Sequence, residues 1–303
     1  MTKTTTNLLL MLITILAGTY FYITCCSSCG TGTVEEEPVK DAVVAPVTPE
    51  ATSYPFSFSD GDFAVNENDN YNFNVSSSSF LTPLSETLTG GVAKLKDYLA
   101  ANTGKAINIT GYYKGDETNS TAYPNLGLAR ANAVKNHLVD SGVDSRQINT
   151  MGKLMDEMLA KDGIYMGPVE YGLGDLMNND DEMKALFEKI NADPLVLNFQ
   201  TNQAEINLTA AQRQKVADIS RYLDKVAGAT CTATGHTDSQ GPAATNQILG
   251  QERADFAKSY LISNGIAASK INATSKGESQ PIADNMVAAG RAKNRRTVVT
   301  LNN

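Results

Sequence analysis

The chain opens with an uncharged, largely apolar run at residues 8 to 23, LLLMLITILAGTYFYI. As a helix, the stretch from Asn7 to Cys26 would reach about 30 Å, enough to cross the hydrocarbon core of a bilayer. Residues 1 to 26 therefore read as a membrane anchor or signal segment. Lys3 precedes the run and the first charges after it are Glu35, Glu36 and Glu37, which puts the N-terminus on the cytoplasmic side and exports the rest. The bulky residues from Tyr20 to Thr24 do not suit a cleavage site, which favours an uncleaved anchor. Residues 27 to 55, rich in Pro, Thr, Glu and Val and without a period of 3.6 or 2, read as a linker.

Beyond the linker the chain repeats itself. Gly111 matches Gly235 at an offset of 124, while Leu126, Arg130, Ala131, Leu138, Gly142 and Ile148 match Leu249, Arg253, Ala254, Leu261, Gly265 and Ile271 at 123. The shift places one inserted residue in the first copy's loop. Two copies of one domain follow, at 56 to 190 and 195 to 303. In the second, Leu195 to Phe199 reads as a strand, and Thr209 to Ala227 as a helix with Val216, Ile219, Leu223 and Val226 at core spacing and a capping box from Thr209 and Gln212. Thr230 to Gly235 is a strand, Thr245 to Ser263 a helix ended by Gly265, and Ile271 to Ser275 and Thr297 to Leu301 are strands. The fold class is α+β: two βαβαββ two-layer sandwiches in tandem.

A net charge of -8 over the whole chain argues against a nucleic-acid partner, which needs a surplus of Lys and Arg on one face. The residues from Leu195 onward carry 12 Lys and Arg against 8 Asp and Glu, so the last third is mildly basic. Cys25, Cys26 and Cys29 are crowded beside the apolar run and Cys231 stands alone, which is no disulfide framework. Lipid attachment at one of the first three rivals the uncleaved anchor.

One residue breaks the apolar pattern of the 245 to 263 helix. Leu249, Phe256 and Tyr260 lie within about 40° of one another and Arg253 falls among them. A guanidinium at a core-facing position needs a carboxylate or an anionic ligand nearby. Asp238, in the turn GHTDSQG that leads into this helix, is the candidate, and Asn246 lies two turns before Arg253 on the same face. Two readings remain open. Either Asp238 and Arg253 neutralise each other, or they straddle a zwitterion, the acid accepting from an ammonium and the guanidinium gripping a carboxylate.

The run TGHTDSQGPAATNQILGQERADFAKSYLISNGI, followed by KGESQPIADN and GRAKNRR, closely resembles the OmpA-like C-terminal domain family over residues 195 to 303. The resemblance implies non-covalent binding of peptidoglycan through the diaminopimelate of its stem peptide, clamped by Asp238 and Arg253. It further implies roles for Thr237, Asn246, Asn202, Arg295 and Arg296, and an outer-membrane or periplasmic location. Gly250 departs from the family's usual Ser, a change expected to matter little. The first copy keeps Arg130 but has Lys114 at the place of Asp238 and lacks a GRAKNRR ending, with Asp116 or Glu117 available to neutralise Arg130. It reads as a degenerate copy that serves structure or docks other envelope proteins.

No enzyme is expected. His236, Asp238 and Ser239 share one turn and cannot form a triad. Two histidines and no CxxC pairs give no zinc site, no phosphate loop is present, and no cofactor is implied. The sequence therefore points to a membrane-tethered, peptidoglycan-binding envelope protein. The alternative is an envelope interaction scaffold whose Asp238 and Arg253 pair internally.

Overall fold

The computed structural model describes residues 11, 13–21, 53–198 and 207–303. Chain contacts divide it into Met1–Thr48 and Pro49–Asn303. Residues 13–21 are helical, and among the described residues no helix is long and apolar enough to cross a membrane. The remainder of the expected anchor, Cys25, Cys26, Cys29, most of the linker and Asn202 lie outside the described residues.

Pro49–Asn303 holds two sheet-centred halves. In the second, β8 (Leu195–Asn198), β9 (Thr230–His236), β10 (Ile271–Gly277) and β11 (Arg296–Asn302) form a sheet of order β10-β9-β11-β8. β9 and β10 are parallel, whereas β11 runs antiparallel to both β9 and β8. Two helices cover one face, α4 (Ala210–Lys225) and α5 (Ala243–Ser263). Thr209 and Gln212 make the reciprocal capping box at the start of α4, satisfying donors that a helix N-terminus leaves orphaned. Gly265 ends α5 at φ +90°, a backbone angle that a side chain disfavours. Val216, Ile219, Leu223, Leu261, Val299 and Leu301 are buried between the layers.

The first half repeats this plan. β4 (Lys105–Tyr113) pairs in parallel with β5 (Ile148–Leu154) and antiparallel with β7 (Val169–Asp175). Beside β7 packs β1 (Phe56–Asp60), the position that β8 holds in the second half. The helices are α1 (Glu86–Ala101) and α2 (Leu126–Asp140), capped by the side chains of Ser85 and Asn125. Additions particular to this half are β2 (Phe63–Glu67), which forms a hairpin with β1, and the short pair β3 (Phe73–Asn74) and β6 (Ile164–Tyr165).

Helix α3 (Asp180–Ala192) departs from the expected boundary at residue 190. Acidic residues in its first turn and Lys189 in its last suit the helix dipole. Its apolar stripe, Met183, Leu186, Phe187 and Ile190, packs into the second half's core. The halves are bonded directly. Lys135 Nζ meets Asp224 Oδ2 at 2.5 Å, Asn264 accepts from the Ala122 N–H at 2.7 Å, and Asn136 donates to the Gly265 carbonyl at 2.9 Å. Lys225 donates to the carbonyls of Arg146 and Ile148.

Candidate functional site

Strand β9 delivers its last residues to the start of α5 through a crossing of two glycines. A Cβ on Gly235 would lie 1.8 Å from the Gly250 carbonyl oxygen, and one on Gly250 would lie 2.2 Å from Ser275 Oγ. The backbone carbonyl of Gly235 lies 3.1 Å from the place of a Gly250 Cβ, so a side chain there chiefly requires the Ser275 hydroxyl to turn aside. The first half builds the same crossing, where a Cβ on Gly111 would lie 2.0 Å from the Gly127 carbonyl oxygen. In each half the arginine three residues beyond the helix glycine turns back over the strand end. Arg253 Nη1 donates to the His236 carbonyl at 2.9 Å, as Arg130 Nη1 donates to the Tyr112 carbonyl at 2.8 Å.

The carboxylates differ. Asp238 does not contact Arg253; its Oδ2 takes Arg295 Nη1 at 2.8 Å, and Oδ1 takes the Gln240 N–H. The cause is the sheet register. Thr297 on β11 stands opposite Gly235 on β9, which brings Arg295 beside the turn after His236. Arg253 is half-buried, and among the described residues no carboxylate lies within ion-pair distance of it. Burial, and then the neighbouring Arg295, hold its guanidinium below the ordinary range, with Asp238 and Glu252 opposing.

At the ends of β9 and β11 and in the turn after β9, four polar atoms are buried without a hydrogen-bond partner among the described residues: Thr237 Oγ1, His236 Nδ1, Arg295 Nε and Thr297 Oγ1. Buried polar atoms are normally satisfied, so each of these is a group left without its usual partner. Of the charges that act on Arg253, Arg295 adds to it while Asp238 and Glu252 oppose it.

Two expected site residues have other work. Arg296 is buried and its guanidinium donates to the carbonyls of Asn294 and Gln280. Asn246 is buried and its Nδ2 donates to Glu278. Both brace the loop between β10 and β11. Sequence reasoning missed the hub of that loop, Asn294, which is fully buried in the short helix α6 (Ala288–Asn294). Its side chain holds the N–H groups of Ile282 and Ala283, the Ala283 carbonyl and Asn285, and Asn285 accepts from Ser239 beside Asp238. An asparagine between Lys293 and two arginines was the available signal. Thr237, 2% exposed, stays at the pocket.

A cavity of about 490 Å³ lies between the halves, away from Arg253. Its cations are already engaged, Lys135 on Asp224, Lys225 on backbone carbonyls and Arg221 on Glu182. It is a seam of the docking contact. Among the described residues no group of three His, Cys, Asp or Glu could hold a metal ion.

In the first half the corresponding cation is sealed. Arg130 is 0% exposed, with its guanidinium over the rings of Phe73 and Tyr165. Glu117, its side chain 1% exposed, grips it with both oxygens at 2.5 and 3.0 Å. Burial pushes the Glu117 carboxyl up, but Arg130 and the N–H groups of Lys114 and Ser76 outweigh it and hold the group below the usual carboxylate range.

The OmpA family model matches residues 72–163 and 198–295. An outer membrane porin F of Pseudomonas fluorescens is 46% identical over 81 residues, 27% of this chain and 25% of that protein. A peptidoglycan-associated lipoprotein of Buchnera aphidicola is 31% identical over 121 residues, 40% of this chain and 68% of its own length. The crystal structure of the peptidoglycan-associated lipoprotein from Burkholderia pseudomallei superposes with a TM-score of 0.34 at 22% identity, covering 39% of this chain and 99% of that one. This chain thus spans a quarter of the porin and about two thirds of the Buchnera lipoprotein.

Proposed function

The chain belongs to the OmpA family, and from that premise we propose that its second half binds peptidoglycan non-covalently at the Arg253 pocket and anchors a bacterial envelope membrane to the wall. The two halves are read as tandem domains in the periplasm, expected at 56–190 and 195–303 but with α3 going with the second, and with residues 1–26 and the linker 27–55 as tether. The named relatives, a peptidoglycan-associated lipoprotein among them, support this reading.

One observation carries it: a half-buried guanidinium at the end of β9 that no carboxylate among the described residues pairs with. Such a group is held ready for an anion, because an unpaired buried charge is otherwise costly. A ligand carboxylate would take the free edge of Arg253. The ammonium of the same amino acid would reach Asp238, whose two oxygens each accept one bond and retain lone pairs for another. Diaminopimelate carries both groups at each end. The site binds and does not react, for none of its described residues is an activated nucleophile.

Co-sedimentation of the full chain with purified sacculi tests the proposal. The wild type pellets with the wall and free diaminopimelate competes, while Arg253→Ala stays in the supernatant with an unchanged circular dichroism spectrum. Binding by Arg253→Ala equal to wild type would overturn it. The scaffold alternative rested on Asp238 pairing with Arg253, whereas Asp238 pairs with Arg295; it requires that the wild type itself fail to pellet.

A further inference from the structure

We propose that the first half contains a carboxylate-binding pocket that its own Glu117 fills, and that this pocket accepts a free carboxylate once Glu117 is shortened. Three separate segments converge on it. The end of β4 supplies the Tyr112 carbonyl that positions Arg130 and the Lys114 N–H, α2 supplies Arg130, and the turn after β3 supplies the Ser76 N–H and the Ser77 carbonyl. The carboxylate at the centre receives four donors. Oε1 takes Arg130 Nη2 and the Ser76 N–H at 2.9 Å, and Oε2 takes Arg130 Nη1 and the Lys114 N–H at 2.8 Å.

That is the full acceptor capacity expected of a tightly bound carboxylate ligand. Glu117 itself belongs to no helix or strand. It sits in the loop between β4 and α2, where the first copy carries its one inserted residue relative to the second. The Thr118 N–H bonds Ser76 Oγ and fastens the loop in place. The pocket is thus built by the fold, whereas its occupant comes from a loop that the other copy has one residue shorter. While Glu117 is present, Arg130 is closed to outside carboxylates, whereas Arg253, its counterpart in the second half, has no such acid on it among the described residues.

Acetate is the fragment that Glu117→Ala deletes, so it is the probe. The measurement uses the full chain in an Arg253→Ala background, which removes the second half's pocket and makes the outcome independent of the proposal above. Thermal unfolding of Glu117→Ala is followed in sodium acetate and in sodium chloride at equal ionic strength and pH. Acetate should raise the midpoint by about 3 °C over chloride and saturate with concentration. Neither the parent, with Glu117 present, nor the Glu117→Leu/Arg130→Met double variant should respond. Equal midpoints in the two salts, failure of Glu117→Ala to fold in either, or the same acetate response in the parent or the double variant would overturn the proposal.

Discussion

Two arginines stand at corresponding places in the two halves, each turned back from its helix to a carbonyl at the end of the central strand. Arg130 lies over aromatic rings and is closed by Glu117, while Arg253 is half-buried with no carboxylate among the described residues paired to it. The helix, the glycine crossing and the carbonyl contact are shared. What differs is the loop between strand and helix, which in one half carries a carboxylate inward and in the other sends Asp238 sideways to Arg295. One fold thus hosts a sealed ion pair and a receptive cation, and a few loop residues decide between them.

The contrast is broken most forcefully at Glu117. Glu117→Ala leaves a fully buried guanidinium unpaired and should destabilise the protein by about 3 to 5 kcal/mol in urea unfolding. Arg253→Ala, which removes a cation already lacking a partner, should change stability far less.

The shared glycine crossing gives the next largest effect. Gly235→Ala and Gly111→Ala each drive a methyl into a backbone carbonyl and should cost about 3 kcal/mol, read from denaturant midpoints. Only the Gly235 change should also weaken sacculus binding, because it displaces the helix that carries Arg253.

Acid sharpens the comparison further. His236 is pushed down to about 4 from 6.5 by burial and then by Arg296 and Lys276. The unfolded chain therefore binds the extra proton first, and stability falls as pH drops from about 6.5 to about 4. The loss should be on the order of 2 kcal/mol. His236→Asn should flatten that stretch of the pH profile. His137 in the first half is also depressed by burial, against the pull of Asp140, so part of the slope should survive.

The smallest effect belongs to Asp238. Its pair with Arg295 is partly exposed, so Asp238→Asn should cost about 1 kcal/mol or less in urea unfolding. Its effect on sacculus binding should be much larger than its effect on stability.

The second half's elements were legible because each carries a local signal. The Thr209 and Gln212 box, the apolar stripe of α4 and Gly265 after α5 all act within a turn or two of their own positions. Arg253 was legible as a charge in an apolar stripe, and Glu117 as one of two acids able to reach Arg130. The partner of Asp238 was not, because Arg295 lies 57 positions away and is brought beside it by the register between β9 and β11. Helix α6 was missed since seven residues hold too little periodicity, and the expected boundary at 190 cuts through α3 because a single apolar stripe does not say which core it will join. The crossing at Gly235 was not legible either, because the carbonyl its Cβ would meet belongs to Gly250 on the helix.

The bonds that join the halves lie at the far end of the helix bearing Arg253, where Asn264 and Gly265 meet Ala122 and Asn136, and again where Asp224 meets Lys135. If the second half holds the wall as proposed, a pull at Arg253 is passed along its helix into the first half through several bonds strained together.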